Sequence, residues 1–145
     1  EIVEVYAEVD NLFYAGEVDV DTAGIITIQM ENGVFATIDC SWSRPTFYPR
    51  WGHMKMDIVG EQGFIKLDNL SQHLNVYSKH LPRNPTWMNF GVDANQNMIN
   101  EFVASIADDR APSVTWRDGY EALRVALACF ESAERKQPVT LAIGE

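Results

Sequence analysis

Residues 23–42, AGIITIQMENGVFATIDCSW, decide the fold, because polar and apolar side chains alternate on both sides of a turn. A two-residue loop would place Ile26 opposite Asp39 and would mix polar with apolar side chains on each face. A three-residue loop that ends at Gly33, with this glycine in the left-handed conformation, separates the two kinds of side chain. Since a slip of one residue moves every side chain to the other face, the sequence predicts the three-residue loop.

The predicted hairpin has one apolar face and one mixed face. The apolar face consists of Gly24, Ile26, Ile28, Met30, Val34, Ala36, Ile38 and Cys40. The mixed face consists of Ile25, Thr27, Gln29, Phe35, Thr37, Asp39 and Ser41. Because the second face is not purely polar, we expect the sheet to use both of its sides.

The rest of the chain predicts further strands followed by two helices. A second hairpin spans residues 53–68, in a register that places Asp57 opposite Lys66 and Lys55 opposite Asp68. Other predicted elements are strands at residues 2–10, 72–78 and 138–141 and a loop at residues 80–91.

The hydrophobic period then changes to about 3.6 residues, which indicates helices. Asp93 is the expected cap of the first helix, and Thr115 with Asp118 resembles a capping box that opens the second. Strands followed by helices are typical of the α+β class. We therefore expect one largely antiparallel open sheet with the helices packed on one face and the other face available for oligomerisation.

Composition and charge narrow the functional classes. The chain has 145 residues, the size of one domain, and its net charge of −10 argues against nucleic acid or an anionic membrane as a partner. Its apolar runs are too short for a transmembrane span. Cys40 and Cys129 are expected to be buried free thiols of a cytoplasmic protein. Because the sequence opens within a strand pattern and without Met, we expect a piece of a longer protein or a processed chain.

The order of the motifs resembles a known family, the Gfo/Idh/MocA oxidoreductases, which include glucose-fructose oxidoreductase and inositol dehydrogenase. The resemblance is to their C-terminal domain and spans residues 21–141. It is carried by AGIITIQMENGVFATIDCSW, DIVGEQGFIKLD and MINEFVASIADDRAPSVTWRDGYEALRVALACFESAERKQPVTL.

The resemblance implies that residues 1–145 are a single C-terminal domain for substrate binding and oligomerisation. The parent would carry a Rossmann domain that binds NAD or NADP, with a catalytic lysine, and would transfer hydride to or from a sugar or polyol. This chain has no strand followed by G-x-G-x-x-G, so we expect it to lack the Rossmann domain, cofactor-binding residues and catalytic residues, and to be inactive alone. A noncatalytic ligand-binding or scaffolding module remains the alternative.

The resemblance also places substrate-side candidates before the second hairpin. Trp51 is suited to stacking on a pyranose face, and Arg50 or His53 to hydrogen-bonding hydroxyl groups. Trp87 lies in a second aromatic loop and is a weaker candidate for the same cleft. The alternative for Arg50, Trp51 and His53 is an irregular loop with an exposed aromatic side chain and a solvated histidine, and the alternative for Trp87 is packing over the edge of the sheet. The histidines show no metal-ligand spacing, so no metal is expected.

The expected partners are a second copy of the chain and a small carbohydrate or polyol substrate of the parent. In the family, the open faces of such sheets pair with each other. We expect a homodimer or higher homo-oligomer through the face that carries Ile25, Thr27, Phe35, Thr37 and Val59.

Overall fold

The computed structural model describes residues 1–12, 14–45, 48, 52–69, 73–76, 86–89, 91 and 93–142. Its elements in chain order are β1 (Ile2–Asp10), β2 (Ala23–Met30), β3 (Phe35–Asp39), β4 (Lys55–Gly60), β5 (Gly63–Asp68), β6 (His73–Val76), β7 (Thr86–Asn89), α1 (Ala94–Ala107), α2 (Trp116–Arg135) and β8 (Val139–Thr140). The chain divides into two compact units. The first consists of Glu1–Arg44 and Ala111–Glu145, and the second of Pro45–Arg110.

The first unit is built on a four-stranded sheet with the order β3-β2-β1-β8. All of its neighbouring strands are antiparallel. In the β2–β3 hairpin Ile26 pairs with Ile38 and Ile28 with Ala36, which confirms the predicted register. Gly33 has a φ of +83°, a left-handed conformation that glycine adopts without a steric penalty. The three-residue loop is thus confirmed.

Helix α2 covers one face of this sheet. It packs on β1, and its contribution to the core comes mainly from small side chains that allow helix and sheet to approach closely. The buried apolar cluster consists of Val5, Ala7, Ile28, Ala128 and Cys129. The expectation that a helix packs on the apolar face is therefore confirmed for α2.

A buried serine joins α2 to the sheet. Ser132 is fully buried, and its hydroxyl accepts a hydrogen bond from the Ala7 amide at 3.1 Å and donates one to the Gln137 carbonyl at 2.7 Å. Strand β8 pairs only with Glu4 and Val5, so it stops short of Ala7. The serine hydroxyl therefore supplies the partner that the Ala7 amide would otherwise need from a neighbouring strand.

Both helices begin at the predicted caps. The Asp93 carboxylate accepts hydrogen bonds from the amides of Asn95 and Gln96, at 3.0 and 3.1 Å. In α2 the Asp118 carboxylate accepts from the hydroxyl of Thr115 at 2.7 Å and from its amide at 2.6 Å, which completes the capping box. The Thr115 hydroxyl, and then its amide, hold the pKa of Asp118 below its usual value.

The second unit contains two short antiparallel ladders and α1. Strands β4 and β5 pair Asp57 with Lys66 and Lys55 with Asp68, as the charge pattern predicted. Strand β6 pairs with β7. Apolar side chains of β4, β5 and α1 remain largely exposed, and Val59 is 85% exposed.

The predicted α+β arrangement of antiparallel strands and two helices is confirmed, with the described strands distributed over three sheets. Two other expectations need correction. Part of the predicted loop 80–91 forms β7, where a threonine and a tryptophan favour a strand despite the preceding prolines. Cys40 is exposed, because it follows β3 at the edge of the sheet while α2 packs on β1; Cys129 is buried, and both thiols are free.

We expect Ser132→Ala to lower the free energy of unfolding by about 1–3 kcal/mol, because it leaves the buried Ala7 amide without a partner. Urea unfolding followed by circular dichroism measures the loss. Ser105→Ala is the matched control, since Ser105 is also buried in a helix but donates only to the nearby Phe102 carbonyl. Equal losses in the two variants would contradict the assigned role of Ser132.

Candidate functional site

The structure describes two of the four predicted substrate-side residues, one of them by its backbone alone. Arg50 and Trp51 lie outside the described residues. The backbone of Trp87 lies in β7, opposite Asn75, and its side chain is outside the description. His53, two residues before the start of β4, is the one candidate of the four whose side-chain contacts are described.

His53 lies at the centre of a chain of three hydrogen-bonded side chains. Its Nε2 is 3.0 Å from an oxygen of Asp68, and its Nδ1 is 3.0 Å from the Tyr48 hydroxyl. The imidazole is 12% exposed, and Lys55 approaches the second oxygen of Asp68 at 3.8 Å. The register of β4 and β5 brings these groups together, because it places Lys55 opposite Asp68.

The partners of His53 fix its tautomer. A carboxylate is ordinarily ionised near neutral pH and then only accepts hydrogen bonds, so we assign the proton of the neutral ring to Nε2. In the neutral ring Nδ1 then accepts a hydrogen bond from the Tyr48 hydroxyl. Both ring nitrogens are thus engaged within the protein. This arrangement suits His53 to holding the segment before β4 in place more than to binding a ligand directly.

Asn69 also holds the segment before β4 in place, through three hydrogen bonds. Its side-chain oxygen accepts from the Met54 amide at 2.8 Å, and its amide group donates to the Gly52 carbonyl at 3.1 Å. Its own backbone amide donates to the Met54 carbonyl at 3.1 Å. Gly52 has a φ of +79°, a left-handed conformation that glycine adopts without a steric penalty. These bonds continue the β4–β5 ladder beyond the last paired residues.

Sequence analysis missed Tyr48, Asp68 and Asn69 as partners of His53. The available signal was the predicted β4–β5 register, which places Asp68 and Asn69 next to the start of β4. Tyr48 gave no comparable signal, since nothing local in the sequence relates a tyrosine hydroxyl to a histidine five residues later.

The predicted oligomer face is divided between two sheets. Ile25 and Thr27 of β2 and Phe35 and Thr37 of β3 lie on the mixed face of the four-stranded sheet, as expected. All four are exposed, Ile25 by 53% and Phe35 by 72%. Val59 lies in β4, in the separate β4–β5 ladder of the second unit.

A cleft in the first unit was not predicted. It has a volume of about 970 Å³ and lies between the first half of α2 and the sheet. Its walls combine apolar side chains such as Ile28 and Ile38 with Tyr120 and two arginines. One of these, Arg124, donates to Glu121 at 2.7 Å and to the Ala142 carbonyl at 2.5 Å.

Within the described ranges, no three histidine, cysteine, aspartate or glutamate side chains are grouped so that they could hold a metal ion. The same part of the chain contains no helix with the length and apolar character needed to cross a bilayer.

The family model for the Gfo/Idh/MocA oxidoreductases, C-terminal α/β domain, matches residues 1–141. No curated protein matches the chain by sequence.

Solved structures share the fold. GenD2 from gentamicin A biosynthesis, in complex with NAD, is 18% identical with a TM-score of 0.81. Myo-inositol 2-dehydrogenase from Lactobacillus plantarum is 19% identical with a TM-score of 0.71. Levoglucosan dehydrogenase, in complex with NADH and L-sorbose, is 18% identical with a TM-score of 0.73. Each match covers 98% of this chain but only 42%, 43% and 45% of the respective relative, so the chain spans less than half of their length.

We expect neutral His53 to carry its proton on Nε2, because Asp68 accepts and Tyr48 donates. Long-range nitrogen–proton NMR correlations of the ring distinguish the two tautomers directly. Tyr48→Phe removes only the bond to Nδ1 and should leave the Nε2–H tautomer dominant. A dominant Nδ1–H form in the unsubstituted protein would contradict the assignment.

Proposed function

The chain belongs to the Gfo/Idh/MocA oxidoreductase family as a C-terminal α/β domain, and on this basis we propose that it is the substrate-binding and oligomerisation domain of an NAD(P)-dependent sugar or polyol oxidoreductase. The observation that carries the proposal is the family match over residues 1–141. Two relatives of the same fold support the chemistry. One is in complex with NAD, and the other is in complex with NADH and L-sorbose.

We propose that the N-termini of α1 and α2 do not hold the pyrophosphate of a dinucleotide. A pyrophosphate binds where the amides of a helix N-terminus are free to donate. In α1 the amides of Asn95 and Gln96 are already bound by Asp93, and in α2 the acidic side chain of Asp118 occupies the first turn. A pyrophosphate at either helix N-terminus would lie close to the carboxylate of Asp93 or Asp118. We therefore assign NAD or NADP to the rest of a complete enzyme, and substrate binding and assembly to this chain.

The segment before β4 is the proposed substrate side of the domain. Arg50 supplies hydrogen-bond donors for hydroxyl groups, and Trp51 supplies an aromatic face for a sugar ring. His53 acts as a positioning residue, because its two nitrogens are used by Tyr48 and Asp68. Trp87 remains a further candidate for contact with the substrate.

The mixed face of the four-stranded sheet is the proposed surface for a second copy of the chain. Phe35 and Ile25 are more than half exposed on it, on either side of the Thr27–Thr37 pair, and exposed apolar side chains on one face of a sheet support an interface there. Val59, which is 85% exposed in the second unit, is proposed as a separate contact residue.

We expect Phe35→Glu to weaken self-association by at least about thirtyfold, since truncating or charging a central interface residue typically costs about 2 kcal/mol or more. Light scattering over a dilution series measures the mass. Trp116→Glu is the control, because Trp116 is equally exposed but lies on α2 and not on the mixed face. Val59→Glu tests whether Val59 belongs to the same interface. A mass of one chain at every concentration would remove the oligomer proposal.

We expect the chain alone to leave NADH fluorescence unchanged and to oxidise no sugar or polyol. The protein encoded by the complete reading frame should reduce NAD or NADP with a sugar or polyol substrate, which nicotinamide absorbance measures. In that protein Trp51→Ala should raise KM by about tenfold or more with a smaller effect on kcat. If the complete protein is inactive with both cofactors across such substrates, the domain is instead a noncatalytic binding or scaffolding module.

A further inference from the structure

Strand β1 continues the mixed face of the hairpin. Residues directly opposite each other on antiparallel strands point to the same face, so the register of β1, β2 and β3 arranges this face in three rows. The rows, in order along β1, are Glu4–Gln29–Phe35, Tyr6–Thr27–Thr37 and Glu8–Ile25–Asp39. All of these residues belong to the first unit. Carboxylates therefore lie in both outer rows of the face.

Lys136, which ends α2, has a backbone conformation that is unusual for a lysine. Its φ is +54° and its ψ is +37°, which is the left-handed conformation. Glycine is the usual residue in this conformation at the end of a helix, because a Cβ atom is sterically disfavoured there. The presence of a lysine indicates that its side chain has a role beyond ending the helix.

The ammonium group of Lys136 reaches the mixed face at Glu8. Lys136 Nζ donates to one oxygen of the Glu8 carboxylate and the Tyr6 hydroxyl donates to the other, at 2.5 Å each. The hydrogen bond from Lys136, and then that from Tyr6, hold the pKa of Glu8 below its usual value. The hydrogen bond to Glu8 raises the pKa of Lys136. Both groups are therefore charged near neutral pH, and the lysine neutralises the carboxylate.

The stability of the single chain does not account for this ion pair. The side chains of Lys136 and Glu8 are 63% and 49% exposed, and an ion pair with that exposure contributes little to folding. The left-handed lysine has a steric cost, which a glycine at the same position would avoid. We therefore looked for a state in which the mixed face is covered and the ion pair is shielded from water.

The two outer rows of the mixed face are complementary in charge. Lys136 brings an ammonium group to the row of Glu8, and Glu4 places a carboxylate in the opposite outer row. Consider two copies that face each other, with a two-fold axis along the middle row. The lysine end of each copy then lies over the Glu4 end of the other. This pattern fits a second copy of the chain, because a two-fold contact uses both ends of the same face.

We propose that Lys136 determines the specificity of self-association through the mixed face. Its ammonium group neutralises Glu8 when the face is covered, and it lies near the partner subunit's Glu4. Without the lysine, a second copy would bring several carboxylates together in an interface from which water is excluded, which is unfavourable. The inference rests on the proposed function, because it requires the oligomer proposed there.

The test uses the 145-residue chain and the variant Lys136→Gly, which keeps the left-handed conformation and removes the ammonium group. Light scattering over a dilution series measures self-association, and we expect it to be weakened by at least about tenfold. Circular dichroism measures the melting temperature at a dilution at which both proteins are single chains. It should be unchanged or higher, because glycine adopts this conformation without a steric penalty.

Two further variants test whether the effect is specific to the ion pair. Arg135→Ala removes a positive charge from the neighbouring residue, which pairs with Glu131 on α2 itself, and should leave self-association unchanged. Glu8→Gln, added to Lys136→Gly, removes the carboxylate that the lysine neutralises. We expect this double variant to recover part of the lost association.

Three results would overturn the proposal: unchanged association of Lys136→Gly, a loss of its melting temperature in parallel with its association, or an equal effect of Arg135→Ala. Each of them presupposes an unsubstituted chain that associates, so each leaves the proposed function in place. A mass of one chain for the unsubstituted protein at every concentration would instead remove both the proposed oligomer and this inference.

Discussion

The register of the β2–β3 hairpin is the constraint on which the rest of the first unit depends. Gly33 takes a left-handed conformation, which allows a turn of three residues in place of two. The extra residue places Ile26 opposite Ile38 and Ile28 opposite Ala36. A hairpin one residue shorter would place half of these side chains on the wrong face. The sheet would then have no continuous apolar surface on which α2 can pack.

The separation of faces gives the two sides of the sheet different surroundings. On one side α2 packs on β1, and Ser132 satisfies the Ala7 amide that the short β8 leaves unpaired. On the other side Phe35 and Ile25 remain exposed beside polar neighbours. Beyond β3 the chain carries Trp42, whose position against Tyr14 depends on where the hairpin ends.

Several polar groups of the described residues are already engaged by partners within the protein. The helix N-termini are occupied by their own acidic caps, and His53 uses both ring nitrogens within the second unit. The chain covers less than half the length of its structural relatives.

The sequence by itself determined the features that depend on neighbouring residues. The turn at Gly33, the Asp118 capping box and the paired charges of β4 and β5 follow from spacing and from backbone sterics, and all were predicted. Only the tertiary structure decided the contacts between distant residues. Ser132 meets Ala7 across 125 positions, and Tyr14 meets Trp42 across the sheet end. Such pairs have no periodic signature, because they depend on how elements pack and not on local conformation. The division of the strands into three sheets is decided at the same level.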